Sequence, residues 1–172
     1  EFHYVHHHPG GAHYDDVSET SQRIKAAASA TGLGLTLLPV LYSYAGISRA
    51  PLGGGQLRFR NDLDSFERLV QAATSGMTED MRVGVAPHSL RAVDEQQLKS
   101  LAQNHAGGPI HIHIAEQERE VADVLKGLGA RPVQWLMDHV DVGPNWCLIH
   151  ATHMTPAETQ RRRLLRSKSL IR

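Results

Sequence analysis

Short apolar segments recur along this chain, and segments whose apolar residues follow helical spacing separate them. The apolar segments end near five positions, which are Tyr4, Leu41, Pro87, Ile114 and His150. Alternation of strand-like and helix-like segments is typical of βα units on a parallel sheet. The sequence therefore predicts an α/β protein.

The apolar patterns also predict where the elements begin and end. Strands are predicted at 33–41, Val83–Ala86, Ile110–Ile114 and Trp146–His150. Helices are predicted at Ser21–Ala30, Leu63–Ala73, Asp94–Asn104, Glu118–Leu128 and Arg131–His139. Thr155, Pro156 and Glu158 predict the start of one more helix, because threonine caps, proline suits the first turn and glutamate completes a capping box.

The length of the chain bounds the architecture. With 172 residues, of which 41% are apolar, the chain can bury a substantial core. A complete (β/α)8 barrel typically needs about 250 residues, so the pattern fits either a partial barrel or a complete open α/β sheet. A start without methionine and an abrupt basic end favour the partial barrel, with about strands 2 to 6 and their helices.

Composition argues against several functional classes. We expect no membrane segment and no export, because the chain has no apolar run of 18 residues and no signal-peptide pattern. A single cysteine, Cys147, fits a reducing compartment and a cytoplasmic location. Residues 159–172 carry basic but no acidic residues. Nucleic-acid binding is still not predicted, since the chain has no aromatic platform or recognised motif to support it.

The segment HIHIAEQ at residues 111–117 carries the strongest chemical signal. Alternation along a strand directs His111 and His113 to one face and the isoleucines to the other. Glu116 follows where the strand ends. An imidazole that holds a divalent cation and a carboxylate that moves protons suit metal-assisted hydrolysis. We therefore predict His113 as a metal ligand and Glu116 as the acid/base.

Two further histidines, His88 and His150, fall at the carboxyl ends of predicted strands, where α/β barrels place their catalytic face. His150 is predicted to bind metal or orient the attacked group, although strand alternation assigns it to the face of Leu148. Arg91 could clamp a substrate carboxylate, or be a surface arginine. The run from His6 to His8 is predicted as a solvated loop that binds metal only adventitiously.

Five segments together resemble the amidohydrolase superfamily and, within it, the formimidoylglutamate deiminase family. They are EFHYVHH at 1–7, LPVLYSYAG at 38–46, GVAPHSLRAV at 84–93, HIHIAEQ at 111–117 and WCLIHATHMT at 146–155. The likeness extends to about residue 158. We accordingly divide the chain into a partial barrel domain at 1–158 and a basic tail at 159–172.

The resemblance implies a zinc-dependent barrel enzyme that converts N-formimino-L-glutamate and water to N-formyl-L-glutamate and ammonia in histidine degradation. It implies one zinc ion with His113 as a ligand, Glu116 as the acid/base and His150 as a polarising group. Tyr4, His88 and Arg91 would contact the substrate. The family's other ligands, an HxH pair and an aspartate, lie on strands outside this chain, so we expect the chain alone to be inactive.

Two alternatives stay open. One is another deaminase of the same superfamily, acting on a purine or triazine. The other is a non-catalytic fragment that binds metal through the histidine run near the N-terminus. The expected partner is a small-molecule substrate, neither a nucleic acid nor a membrane is expected, and a homodimer is left open.

Overall fold

A computed structural model describes residues 2–167, with side chains as far as Arg163. The strands in these residues are β1 (Phe2–His3), β2 (Leu35–Leu41), β3 (Met81–Val83), β4 (Ala86–Pro87), β5 (Ile110–Ile114) and β6 (Trp146–His150). The α-helices are α1 (Glu19–Thr31), α2 (Leu63–Ala73), α3 (Glu95–Asn104), α4 (Glu118–Leu128), α5 (Pro132–His139) and α6 (Pro156–Ser167). Of the predicted basic tail, residues 159–167 continue α6, and 168–172 lie outside the described residues.

All strand pairs are parallel. Strand β2 pairs with β1, β3 and β4, and β5 pairs with β6 over its full length. A bridge between Val85 and Ile110 connects the two groups. Within residues 2–167 no strand pairing joins β6 back to β1, so the described strands form an open run. The α/β prediction is confirmed, and the partial barrel stays a prediction.

The strand predicted at Val83–Ala86 is interrupted in the structure. Strand β3 ends at Val83 and β4 begins at Ala86. Between them, the amide of Gly84 donates to the carbonyl of Leu37, and the amide of Val85 donates to the carbonyl of Pro109. Successive amides in this segment thus pair with different partners, first with β2 and then with the residue before β5. The prediction of one continuous strand at Val83–Ala86 was therefore wrong.

The core lies between the sheet and the helices. Ile110, Ile112 and Ile114 of β5 are fully buried and belong to one apolar cluster with Phe66 of α2 and Leu136 of α5. Burying one such side chain stabilises the fold by about 1.5–3 kcal/mol. The histidines between these isoleucines are only partly buried. Alternation along β5 therefore places the isoleucines on the core face of the sheet and the histidines on the opposite, partly exposed face.

Helix ends follow from local capping. Asp94 accepts the amide of Gln97, and the Gln97 side chain returns to the Asp94 amide, which closes a capping box before α3. Thr155 and Glu158 exchange equivalent bonds at the start of α6, as the sequence predicts. Gly32 and Gly129 end their helices in left-handed conformations. No helix among the described residues is long and apolar enough to cross a membrane.

Candidate active site

Three histidines meet at the carboxyl ends of β4, β5 and β6. The rings of His113 and His150 stack with centroids 5.3 Å apart. The rings of His88 and His113 meet edge to face at 5.1 Å. Parallel strands place their carboxyl ends along one edge, so residues far apart in the chain converge there. The structure thus brings together the three histidines that the sequence places at strand ends.

His113 is held at the centre of this group. Its backbone amide donates to the carbonyl of His88, and the ring of Phe2 lies 4.1 Å from its own ring. Burial lowers the pKa of His113, and the neighbouring His150 lowers it further, whereas the carboxylate of Glu116 acts in the opposite direction. The imidazole is therefore neutral near pH 7, which is the form that binds metal ions.

His150 departs from the strand face that alternation predicts. It pairs in register with Ile114, whose side chain is fully buried in the core. At His150, however, φ is +65°, and the next residue, Ala151, also has a positive φ. Alternation holds only while the backbone stays extended. The left-handed turn brings the ring over His113, so the predicted face was wrong for this residue.

Glu116 completes the cluster. The preceding residue, Ala115, has a φ of +50°, which ends β5 sharply. The carboxylate Oε1 of Glu116 then lies 3.7 Å from Nε2 of His150, and both side chains are about 40% exposed. A half-exposed carboxylate beside an imidazole can exchange protons with water and with a bound molecule. Left-handed non-glycine residues cluster at functional sites, because surrounding contacts must hold them.

Aromatic rings line the cluster on the side of β1 and β2. The ring of Tyr4 lies 6.0 Å from that of His88, and the ring of Tyr42 lies 4.5 Å from it. Burial, together with the charges of His113 and Arg91, lowers the pKa of His88 to about 3. His88 is therefore neutral at physiological pH and can accept or donate a hydrogen bond.

Sequence reasoning missed two of these rings, Tyr42 and Phe59. Tyr42 directly follows the last residue of β2, so the strand-end rule that selects the histidines could have found it. Phe59 lies 4.8 Å from Tyr4 and closes a 3-10 helix over Gly54–Phe59. That helix interrupts a segment with no apolar periodicity, so the sequence gives no signal for Phe59.

Arg91 lies beside the cluster and outside its ring contacts. Its side chain is exposed and lines a cavity of about 690 Å³ between the segment 45–48 and α4, with Arg119 and Lys126 on the opposite wall. Its charge contributes to lowering the pKa values of His88 and His113. Two carboxylates, Glu120 and Asp123, also line this cavity. The structure thus places the Arg91 cation between the histidines and an open cavity of mixed charge.

The prediction of a solvated loop was wrong for His6 and His7. Only 1% of His6 and 5% of His7 is exposed, whereas His8 is exposed. Nε2 of His6 lies 3.0 Å from the carbonyl oxygen of Val40, and Nε2 of His7 lies 2.7 Å from that of Arg60. Packing against β2 and the following loop buries these rings. They attach the N-terminal segment to the sheet.

The described residues do not form a zinc site by themselves. Zinc in proteins takes three or more protein ligands. No group of three or more His, Cys, Asp or Glu side chains within residues 2–167 is arranged to hold a metal ion. The neutral, half-buried His113 fits as one zinc ligand. The other described residues do not supply the two further ligands that zinc needs.

This chain has the fold of an amidohydrolase of known structure. A crystal structure of an amidohydrolase from Brucella melitensis superposes with a TM-score of 0.92 and 48% identity over 96% of this chain and 37% of that chain. An adenosine deaminase from Xanthomonas campestris with bound zinc has a TM-score of 0.70 at 17% identity, over 85% of this chain and 32% of that one, and shares the fold. No protein-family model matches the chain.

Relatives of known name indicate which amidohydrolases the chain resembles. A formimidoylglutamate deiminase of Pseudomonas aeruginosa is 50% identical over 160 residues, which are 92% of this chain and 35% of that protein. A 5-methylthioadenosine/S-adenosylhomocysteine deaminase of Halobacterium salinarum is 31% identical over 65% of this chain and 28% of its own length. The resemblance to formimidoylglutamate deiminase is therefore confirmed. The chain spans about a third of the length of these relatives.

Proposed function

We propose that this chain forms part of the active site of a zinc-dependent hydrolase that converts N-formimino-L-glutamate and water to N-formyl-L-glutamate and ammonia. The observation that carries the proposal is the contact of His150 with both His113 and Glu116. It supports a hydrolytic site because a neutral imidazole, a second imidazole and a carboxylate face one volume at the strand ends. The 50% identity to a formimidoylglutamate deiminase supports the substrate.

His113 is proposed as one zinc ligand. Bound zinc would supply a Lewis acid that activates water and polarises the substrate. The burial that lowers the pKa of His113 keeps its imidazole neutral, so no proton has to be displaced before it binds. The other ligands belong to residues outside the described set.

Glu116 is proposed as the acid/base. It takes a proton from the attacking water and gives it to the leaving nitrogen. As the C–N bond breaks and ammonia departs, the same carboxylate accepts the hydroxyl proton of the intermediate, so that the carbonyl forms. His150 lies 3.7 Å from this carboxylate and orients the attacked group. Because both side chains are partly exposed, substrate and water reach them without rearrangement of the core.

Three further residues are proposed to bind the substrate. Arg91 suits a glutamate carboxylate, since a guanidinium can bind a carboxylate through two parallel hydrogen bonds. The rings of Tyr4 and His88 lie 6.0 Å apart, and His88 also contacts His113, the proposed zinc ligand. A neutral His88 can donate a hydrogen bond to the substrate without repelling its cationic formimino group.

A second candidate is a deaminase that acts on a flat heterocycle such as a purine or triazine. Two observations favour it. The rings of Phe2, Tyr4 and Tyr42 contact His88, and Phe59 packs against the two tyrosines. Aromatic faces stack readily on heterocycles. The relative from Halobacterium salinarum is named as a 5-methylthioadenosine/S-adenosylhomocysteine deaminase.

A substrate panel separates the two candidates. Ammonia release is measured with N-formimino-L-glutamate, adenosine and an aminotriazine, using the longest natural chain that carries this sequence, loaded with zinc. We expect formiminoglutamate to give the highest kcat/KM by a wide margin. A preference for adenosine or the triazine would establish the second candidate instead, and absence of ammonia from every substrate would overturn both.

A further inference from the structure

Glu120 is buried in the first turn of α4 and forms no close ion pair with the side chains that the structure describes. Only 5% of the residue is exposed, and none of the salt bridges among the side chains of residues 2–163 involves it. A buried carboxylate is costly unless strong hydrogen bonds satisfy it. A carboxylate buried at this position therefore needs an explanation.

The hydrogen bonds of Glu120 provide that explanation. Its Oε1 accepts the backbone amide of Ala115 at 3.1 Å, and its Oε2 accepts the backbone amide of Glu116 at 2.9 Å. In an ordinary capping box, the third helical residue reaches back to the amide of the N-cap residue, which here is Gln117. Glu120 instead bonds the two residues before the cap, one of which carries the proposed acid/base.

The same short segment is also held from the other side. The carbonyl of Ala115 accepts the amide of His153, from the loop after β6, at 2.9 Å. Ala115 has a φ of +50°, a conformation that costs a non-glycine residue about 1–2 kcal/mol. Two opposed contacts, one from α4 and one from the β6 loop, thus hold a strained link that determines where the Glu116 side chain begins.

We propose that Glu120 is a positioning residue for Glu116. By accepting both consecutive amides, its carboxylate fixes the turn after β5 and keeps the Glu116 carboxylate within 3.7 Å of His150. Glu120 does not itself contact the reacting atoms. This inference rests on the proposed role of Glu116, and the experiment below separates the two.

The test compares Glu120→Gln and Glu120→Ala with Glu118→Gln in the longest natural, zinc-loaded chain. Glu118 is a matched control, because it lies in the same first turn of α4 but is exposed. Gln keeps one carboxyl-like oxygen, so it preserves the fold if alanine does not. We expect Glu120→Gln to lower kcat by about 10- to 100-fold with KM unchanged, because misplacement of a catalytic group affects the chemical step. Glu118→Gln should behave as the wild type.

Two further measurements distinguish positioning from general stabilisation. Hydrogen exchange of the Ala115 and Glu116 amides should accelerate in both Glu120 variants and not in Glu118→Gln. The double variant of Glu116→Gln and Glu120→Gln should be no slower than Glu116→Gln alone, because residues that act as a unit are not additive.

Each outcome decides between the two claims. If Glu116→Gln is slow and Glu120→Gln has a normal kcat, only the positioning role is overturned. Multiplied losses in the double variant, or unchanged exchange of the two amides, also overturn it. A Glu116→Gln variant with full turnover overturns the proposed function, and the positioning role with it.

Discussion

The imidazole Nε2 of His150 lies 3.7 Å from the carboxylate Oε1 of Glu116, although Glu116 follows β5, His150 ends β6 and two helices lie between them in the sequence. Left-handed backbone at Ala115 and at His150 brings the two side chains together. The pair therefore depends on how two strands end, and its chemistry can be tested one residue at a time.

Glu116→Gln should abolish most of the proposed turnover. The amide keeps the size of the side chain but cannot take up a proton, and general acid/base catalysis contributes about 10²–10⁴-fold. Ammonia release with formiminoglutamate gives the loss, and the zinc content of the purified variant should equal that of the wild type. Undiminished ammonia release would exclude Glu116 as the acid/base.

His150 should respond differently to asparagine and to valine. Asparagine tolerates left-handed backbone, whereas a β-branched residue does not. The φ of His150 is +65°. We therefore expect the His150→Asn variant to keep the melting temperature of the wild type and to lose turnover. His150→Val should lose turnover and about 1–2 kcal/mol of the free energy of unfolding in addition. Equal stability of the two variants in urea denaturation would contradict this account of the strand end.

Removal of Arg91 should weaken substrate binding more than it slows the chemistry. A hydrogen-bonded charge pair is worth about 1.5–3 kcal/mol, so Arg91→Ala should raise KM about 10- to 100-fold. Arg82→Ala removes another exposed arginine, on β3, and serves as the control. If KM is the same in both variants, Arg91 does not contact the substrate.

Gly84→Ala should destabilise the fold. A Cβ at Gly84 would lie 2.3 Å from the carbonyl oxygen of Pro109, a backbone atom directly before β5. Overpacking of this kind costs about 1–3 kcal/mol. Gly55→Ala is the matched control, because the space around Gly55 is open. Urea denaturation should show the loss only for Gly84→Ala, and equal midpoints would refute the steric argument.

Stability should fall in mild acid, partly through His6. Burial lowers the pKa of His6 from 6.5 to about 3. Between these values the unfolded chain binds the proton and the folded chain does not. The free energy of unfolding therefore decreases as pH falls below 6.5, by about 1.4 kcal/mol per pH unit for this group.

The variant His6→Gln removes this contribution and can still donate to the carbonyl of Val40. Urea denaturation at pH 7 and pH 5 should show a smaller pH dependence for His6→Gln than for the wild type. His8→Gln, which changes an exposed histidine of the same run, should leave the dependence as it is. Identical pH dependence in all three proteins would show that His6 titrates normally in the folded chain.

Strong local patterns predicted much of the fold. The bounds of α2, α4, β5 and β6 agree with the sequence predictions to the residue. Each has a clear period of apolar residues or clear end signals, so local sequence suffices. The split between β3 and β4 was not predicted, because it arises from the close approach of Pro109 to Gly84.

By itself the sequence determined the order of βα units, the chemical character of the strand ends and the relationship to formimidoylglutamate deiminase. Alternation along β5 and helical periodicity are local properties, which a single chain segment encodes. Only the tertiary structure decided that His6 and His7 are buried, that His150 turns onto His113, and that Glu120 holds the turn before α4. Those outcomes depend on backbone conformation at strand ends and on contacts between distant segments. Neither of these produces a periodic pattern of residues that the sequence alone would reveal.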